Sequence, residues 1–274
     1  MLRAARERKE YLYRKHLELQ QQPEFAKAAA VKEYLKASEK LPNHLAKDAL
    51  KSIGMSEVQE DEASFFPPRT LITTSRDPSS RLKQFAKELK LVFPNSKRLN
   101  RGNHVLEDII NSCRSTSFTH LVLVSEHRGN PTGLSIIALP HGTAVYFSLH
   151  NVVLRHDIKD DAMPNVPESP PHLIFHNITT DFGIRIKNCL SALFACEVKE
   201  NCARVISYLN QDDLISFRHH IYSVVKGKEQ ILELGPRFEM QLYEVRNGPP
   251  DYADAEIEWS LRPFMRTNKK RNFL

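Results

Sequence analysis

One order of predicted elements occurs twice in this sequence, and this repetition constrains the fold more than any other feature. The strand PHLIF (171–175) matches TLITTS (70–75), with Leu173 and Ile174 at the positions of Leu71 and Ile72. Later, ARVISYLN (203–210) matches HLVLVSE (120–126), and LELGPRFEMQLYEV (232–245) aligns without a gap on LPHGTAVYFSLHNV (139–152). An ordered match of this kind indicates an internal duplication.

A helix follows the first strand of each copy. The first has apolar residues at Leu82, Phe85, Ala86, Leu89, Val92 and Phe93, which is the spacing of an amphipathic helix. In the second, predicted from Asp181 to Phe194, Ile186, Leu190, Leu193 and Phe194 stand where Phe85, Leu89, Val92 and Phe93 stood. We expect each helix to bury its apolar stripe.

Several local signals complete the first copy. Asp77, followed by Pro78, predicts the N-cap of the first helix with Pro in its first turn. A second helix is predicted over 103–115, a turn over 128–133, and a nearly continuous apolar strand over 118–126, which is typical of a strand covered on both faces.

These patterns predict an α/β fold with two duplicated halves, about 69–158 and 170–250, in a domain spanning 69–250. The Pro-rich segment 160–171 is the predicted joint between the halves. Each half is too small for a generous core, so we expect the two to pack together. The alternative is that two unrelated α/β units share strand and helix spacing by coincidence.

The ends of the chain differ from this domain. Residues 1–50 contain no Gly and few apolar positions, which predicts a helical N-terminal arm rather than a domain. Residues 51–68 combine an acidic patch with Gly and a Pro pair, typical of a linker. In the extension 251–274, a strand is predicted near Glu256 to Trp259, followed by a basic, extended tail for which a solvated, disordered end is the alternative.

Positive charge concentrates between Arg76 and Arg101, where eight cations oppose two acids. Because one side of the first helix is buried, several of these cations must lie on its outer side or at strand ends, where they can follow a phosphate backbone. A solvated helix surface whose long stems cover apolar atoms is the alternative. The predicted RNA-binding residues are Arg76, Arg81, Lys83, Lys87, Lys97, Arg98, Arg101, Arg128, Arg155, Arg218 and Arg237.

Catalytic and metal-binding patterns are absent from the sequence. It contains no P-loop, dinucleotide-binding, zinc-protease or nucleophile-elbow motif. His172 and His176 fall on a predicted strand, where they would not face one ion, and Asp212 with Asp213 indicates a turn. We therefore predict no enzyme activity, no metal and no cofactor.

Cellular placement can also be addressed from the residues. The charged N-terminus and the lack of a long apolar run predict a protein that stays inside the cell. The cysteines, Cys113, Cys189, Cys196 and Cys202, form no CxxC pair, so we expect ordinary reduced thiols.

The segment TLITTSRDPSSRLKQFAKELKLVFPNSKRLNRG (70–102) resembles the Brix-domain ribosome-biogenesis proteins. The likeness continues through HLVLVSEHRGNPTGLSIIALPHG, RVISYLNQDDLISFRHHIY and ELGPRFEMQLYEVR. It implies a Brix domain made of two halves similar to anticodon-binding folds, with the N-terminal arm and the basic C-terminal tail outside it.

The resemblance also implies a function. It implies a nucleolar component of the small-subunit processome that does no covalent chemistry and assists pairing of U3 small nucleolar RNA with pre-ribosomal RNA. The implied protein partners are similar to Imp three and M-phase phosphoprotein ten. Two other classes remain as alternatives: an interaction scaffold whose basic surface meets acidic protein segments, and an RNA-modifying enzyme.

Overall fold

The computed structural model describes residues 6–11, 13–14, 68–158, 164–194, 202–225, 228–252, 255–262 and 273–274. The chain divides into two units, Met1–Glu62 and Ala63–Leu274. In the first unit, residues 6–11 and 13–14 are helical, in agreement with the helix predicted there. The rest of the predicted arm, and the predicted linker up to residue 67, lie outside the described residues. No helix in the described ranges is long and apolar enough to cross a membrane.

The second unit contains one large mixed sheet with helices on both faces. Its elements are β1 Thr70–Thr74, α1 Ser80–Val92, β2 Ser96–Arg98, α2 Leu106–Ser115, β3 His120–His127, β4 Asn130–Ala138, β5 Ala144–Val153, a 3-10 turn Arg155–Asp157, β6 His172–His176, α3 Asp181–Ala192, β7 Arg204–Gln211, β8 Leu214–Val225, β9 Lys228–Glu233, β10 Arg237–Asn247 and β11 Glu256–Ser260.

The strand order is nearly symmetric about its centre. It runs β2-β1-β3-β4-β5-β10-β8-β7-β6, with β11 paired to β10 and β9 to β8. β1 and β3 are parallel, as are β6 and β7, whereas β5 and β10 pair antiparallel at the middle. The two predicted halves therefore share one continuous sheet, joined between β5 and β10.

The buried face of this sheet carries both predicted helix stripes. Phe85 of α1 and Ile186 of α3 belong to the same apolar cluster, and Phe93 contacts Phe194 with ring centroids 5.3 Å apart. Phe238 of β10 lies edge-on to Phe85 at 5.7 Å. A single core thus unites the halves, because each helix alone would leave part of its apolar face in water.

Within the described residues, the second face is covered only in the N-terminal half. There α2 packs Ile109, Ile110 and Cys113 against Leu121 of β3 and Ile137 of β4. Among the described elements, the C-terminal half has no counterpart of α2. Its second face, called here the open face, carries alternate residues of β6, β7, β8 and β10.

The structure corrects the alignment of the two copies at both ends. Ile174 was predicted at the position of Ile72, yet Ile72 is 0% exposed and Ile174 is 51% exposed. Leu173 packs against the core and takes the place of Ile72. A shift by one residue turns every side chain of a strand to the other face, so burial distinguishes the two alignments.

At the last strand the shift is two residues. Leu134 pairs with Phe147, and its counterpart Phe217 pairs with Phe238. Phe238 therefore takes the place of Phe147, whereas the gapless alignment placed it at Val145. A shift of two preserves the buried face, so the apolar pattern could not reveal it.

The first residues of several helices and strands also differ from the predictions. The N-cap of α1 is Ser79, whose hydroxyl accepts from the Leu82 amide at 3.1 Å, whereas Asp77 has a φ of 49° and lies before the helix. The turn predicted over 128–133 is shorter, because β4 begins at Asn130. α2 begins at Leu106, later than predicted.

A buried arginine crosses between the halves. Arg204 of β7 is 2% exposed and donates to the Leu91 and Val92 carbonyls at the end of α1, at 2.8 and 2.7 Å. Its Nε donates to His219 Nε2 at 2.8 Å, so the proton of neutral His219 lies on Nδ1, which bonds the Gly235 carbonyl at 2.7 Å. Burial and the neighbouring Arg204 lower the pKa of His219 to about 3. This link joins the two halves through the buried side chains of Arg204 and His219.

Candidate nucleic-acid interface

The outer side of α1 carries a stripe of lysines. Lys83, Lys87 and Lys90 are exposed and lie on one side of the helix, because residues four and three apart are neighbours on a helix surface. Leu82, Phe85 and Leu89 on the other side are fully buried. The buried side of α1 therefore fixes the position of the lysine stripe relative to the core.

A groove runs between α1 and the 3-10 turn. Its volume is about 620 Å³. It is lined by Ser80, Lys83, Gln84, Lys87, Glu88, Leu91, Arg155 and His156. We call it the α1 groove.

Glu88 holds the two walls of the α1 groove together. Its carboxylate accepts the Arg155 amide at 2.9 Å, although the sequence counted Glu88 only as one of the two acids opposing the cations between Arg76 and Arg101. Glu88 is 4% exposed, and burial raises its pKa above the usual value, partly offset by that amide. The Arg155 guanidinium donates to the Pro164 carbonyl at 2.6 Å.

Further predicted cations lie where β1, β2 and β3 end. Arg76 and Arg128 are exposed there, Arg98 is half-buried and Lys97 is exposed on the edge strand β2. Arg101 differs, because it is buried and donates to the His104 carbonyl at 3.0 Å and the Thr74 carbonyl at 3.5 Å. Burial, and then the nearby Arg76, lower the pKa of Arg101. Its contacts are those of a residue that fixes a loop.

Two other predicted cations are engaged in ion pairs. Arg81 contacts Asp157 at 3.2 Å, and Arg237 contacts Glu233 at 2.9 Å. Both guanidinium groups remain partly exposed, so a phosphate would compete with the carboxylate.

Arg218 and Arg237 lie on the opposite side of the sheet from α1. Phe217 and Phe238, their neighbours in the chain, face the core beside α1 and α3, so the two arginines face the open side. The Arg218 guanidinium donates to the Phe217 carbonyl at 2.9 Å. The eleven predicted residues therefore do not form one surface.

The structure brings together Lys83, Lys87 and Arg155, which are far apart in sequence. It also adds His156 and Lys90 to the same region. His156 lacks any signal in the sequence because its position depends on how the 3-10 turn docks on α1. Lys90 could have been predicted as an RNA-binding residue, because it follows Lys87 by three residues and so lies on the same side of the helix.

The histidines and acids form no evident catalytic group in the described ranges, and no three metal-binding side chains gather there. His219 is buried and His220 faces the open side, in agreement with the prediction that adjacent strand residues point apart. Asp212 and Asp213 form the turn between β7 and β8, also as predicted. Burial raises the pKa of Cys113 to about 11, so its thiol is protonated at neutral pH.

Comparison with known proteins finds a matching family model and relatives that are similar over nearly the full length. The Brix domain model matches residues 75–244, more than half of the chain. The U3 small nucleolar ribonucleoprotein protein IMP4 of Yarrowia lipolytica is 45% identical over 282 residues, covering 99% of both chains. The protein of the same name from Homo sapiens is 42% identical, covering 99% of this chain and 98% of its own.

A crystal structure of a probable ribosomal biogenesis protein from Aeropyrum pernix K1 is similar with a TM-score of 0.48 and 20% identity, covering 64% of this chain and 96% of the other. The range matched by the family model, 75–244, lies within the stretch of this chain that the near full-length relatives cover. The chain belongs to the Brix-domain family, in the group formed by these IMP4 relatives.

Proposed function

We propose that this protein acts in ribosome biogenesis as a component of the U3 small nucleolar ribonucleoprotein. The observation that carries the proposal is the identity of 45% over 99% of both chains to a relative of that name. Similarity along almost the whole length supports a shared role better than similarity confined to one domain.

The proposed role requires no covalent chemistry. Lys83, Lys87 and Lys90 project from a helix that is fixed to the core, and Arg155 stands across the α1 groove. Cations held at fixed positions can neutralise phosphates of two RNA segments and keep them in register. The protein would in this way assist pairing of U3 small nucleolar RNA with pre-ribosomal RNA, leading to maturation of the small-subunit rRNA.

The proposed setting is the nucleolus, within the small-subunit processome. The proposed protein partners resemble Imp three and M-phase phosphoprotein ten. Such partners would contribute surfaces that the described part of this chain does not supply, since its cations are divided between two sides of the sheet.

A second candidate function is that of an interaction scaffold. It is favoured by the open face, where Ile174, Leu209 and Tyr222 are exposed although they lie on sheet strands. Exposed apolar residues on a sheet are typical of surfaces that meet another protein. In this case RNA contacts would come mainly from partners.

Recovery of RNA from cells tests the first proposal. A tagged copy of the protein should co-purify U3 small nucleolar RNA, and Lys83→Glu with Lys87→Glu should reduce the recovery and the level of mature small-subunit rRNA. Lys187→Glu on α3 is the matched control, because Lys187 is also an exposed helix lysine but lies outside the α1 groove. Absence of U3 RNA from the purified material would contradict the proposal.

Crosslinking separates the two candidate functions. The purified protein alone, mixed with a U3 RNA transcript, should crosslink at the α1 groove if it binds RNA directly. Crosslinks that appear only after partner proteins are added would favour the scaffold.

A further inference from the structure

Phe273 and Leu274, the last two residues of the sequence, occupy a cleft at the start of α3. Both of their amides donate to one carboxylate oxygen of Asp213, at 2.7 and 3.1 Å. The Thr180 hydroxyl donates to the Phe273 carbonyl at 2.7 Å, and the Asn210 side chain donates to the Leu274 oxygen at 3.3 Å. The side chains of Asp213, Thr180 and Asn210 thus form hydrogen bonds to the backbone of this two-residue segment. The sequence left a solvated end as the alternative for the basic tail. Leu274 itself is buried, whereas residues 263–272 of that tail lie outside the described residues.

The side chains of the segment are also bound. Leu274 is 3% exposed and belongs to the cluster that contains Ile186 and Leu190 of α3. The Phe273 ring packs edge-on against Trp259, with centroids 5.6 Å apart. The cleft therefore supplies a deep apolar site for leucine and an aromatic wall for phenylalanine.

Gly183 allows the segment to approach the helix closely. A Cβ atom at this position would lie 2.8 Å from the Leu274 carbonyl carbon, closer than real Cβ contacts allow. It would also crowd Ile178 and Thr180 at 2.9 and 3.0 Å. A glycine in the first turn of a helix weakens the helix, so its presence here fits a steric requirement.

The cleft is organised by its own residues. Asn210 is 4% exposed and also donates to the Asn177 carbonyl at 2.9 Å, while the Asn177 side chain donates to the Asn210 carbonyl at 3.0 Å. Thr180 accepts the Gly183 amide at 2.8 Å as the N-cap of α3. These bonds hold the two donors in place for a ligand carbonyl.

The same place in the N-terminal half is closed by a side chain. Ser79 corresponds to Thr180, and Glu126 of β3 corresponds to Asn210 of β7, because the turns Arg128–Gly129 and Asp212–Asp213 align. The Glu126 carboxylate accepts both the amide of Ser79, at 2.9 Å, and its hydroxyl. The C-terminal half has neutral donors at these positions, and they donate to the Phe273 carbonyl and to the Leu274 backbone oxygen.

We propose that this cleft is a peptide-recognition site for an extended aromatic–leucine segment and that the occupant is the chain's own Phe273–Leu274. Recognition rests on the Asp213 carboxylate, on the contacts to the Phe273 carbonyl and the Leu274 backbone oxygen, and on the leucine site. Such contacts do not require a covalent link, so the segment should also bind when it is supplied as a separate peptide.

Trp259 allows a direct test, because it is the single tryptophan of the protein and touches Phe273. The chain lacking residues 273 and 274 is titrated with a heptapeptide of residues 268–274 while tryptophan fluorescence is recorded. A saturable change is expected, and the same peptide with alanine in place of Phe273 and Leu274 should produce none.

Variants of the truncated chain sharpen the test. Asp213→Asn should weaken peptide binding by about 10- to 100-fold, since bonds to a charged acceptor are among the stronger ones and asparagine tolerates the positive φ at this turn. Asp108→Asn, an exposed acid on α2, is the control and should leave binding unchanged. No saturable signal from a folded truncated chain, or equal binding by the Asp213→Asn variant, would overturn the proposal.

The full-length chain provides a second measurement if truncation prevents folding. Asp213→Asn and Gly183→Ala should each shift Trp259 emission toward that of an exposed indole, because the segment leaves the cleft. Unchanged emission in both folded variants would equally reject the site.

Discussion

The two halves of the Brix domain share a strand plan but present different surfaces. In α1 the outer side carries Lys83, Lys87 and Lys90, whereas the corresponding positions of α3 are Ile184, Asn188 and Ser191. The buried sides of the two helices remain equivalent, with Phe85 matched by Ile186 and Leu89 by Leu190.

The contrast shows which part of a duplicated unit is free to change. Buried positions are constrained by close packing, where a change of one methylene is felt by all neighbours. Outer positions contact water and can exchange lysine for a neutral residue at little cost in stability. The basic surface is therefore a property of the N-terminal half, and the peptide cleft is a property of the C-terminal half.

The largest effect on stability is expected from replacing Arg204, the residue that joins the two halves. Arg204→Ala should lower the free energy of unfolding by about 3 kcal/mol, because it leaves the Val92 carbonyl and His219 buried without their donor and removes the bond to the Leu91 carbonyl. Urea denaturation measures the change. Lys83→Ala, an exposed substitution, should stay within about 0.5 kcal/mol. A loss below about 1 kcal/mol from Arg204→Ala would mean that the halves do not depend on this link.

Lowering the pH should reduce the stability of the fold through one buried histidine in each half. The pKa of His219 falls from 6.5 to about 3 in the folded chain, and burial lowers that of His120 in the N-terminal half to about 4. Each neutral histidine stabilises the fold fully above pH 6.5, and this stability is lost as pH falls, because the unfolded chain binds the proton first. Between pH 7 and 5 the loss is about 2 kcal/mol for each histidine.

Glutamine variants separate the contributions of the two histidines to this loss of stability. His219→Gln can still accept from Arg204 and donate to the Gly235 carbonyl, and it does not titrate. It should remove about half of the loss measured by denaturation at pH 7 and pH 5, and His120→Gln should remove the other half. An unchanged pH dependence in either variant would show that acid sensitivity resides elsewhere.

RNA binding should follow the difference between α1 and α3. Lys83→Gln with Lys87→Gln should weaken binding to a U3 RNA transcript on the order of tenfold and reduce the slope of log affinity against log salt by about 1.4, if both lysines neutralise phosphates of single-stranded RNA. Lys187→Gln should alter neither quantity. Filter binding at several salt concentrations between 50 and 200 mM measures both the affinity and the slope.

The smallest expected effect concerns the open face. Leu209 of β7 is exposed and corresponds to Ser125 of β3, so Leu209→Ser gives the C-terminal half the residue of the N-terminal half. The free energy of unfolding should change by less than about 0.5 kcal/mol. A loss above 1 kcal/mol would indicate that this face is covered in the free protein.

Much of the fold followed from periodicity. The helical stripe of α1, the buried strand β3 and the repetition of both were predicted and are present, because apolar spacing reports directly which side of an element is buried. The basic character of the α1 surface followed from the same argument. Start and stop positions were less accurate, as at Ser79 and Asn130, where several residues can serve as a cap or a turn.

The sequence by itself determined that two α/β units exist, which side of each helix is buried and where positive charge concentrates, since all three depend on residues close together in the chain. Only the tertiary structure decided that Lys87 and Arg155 line one groove, that Arg204 bonds the end of α1, and that Leu274 enters the core beside Gly183. Those contacts join segments whose separation along the chain carries no periodic signal, and their geometry is set by how strands pair and helices dock.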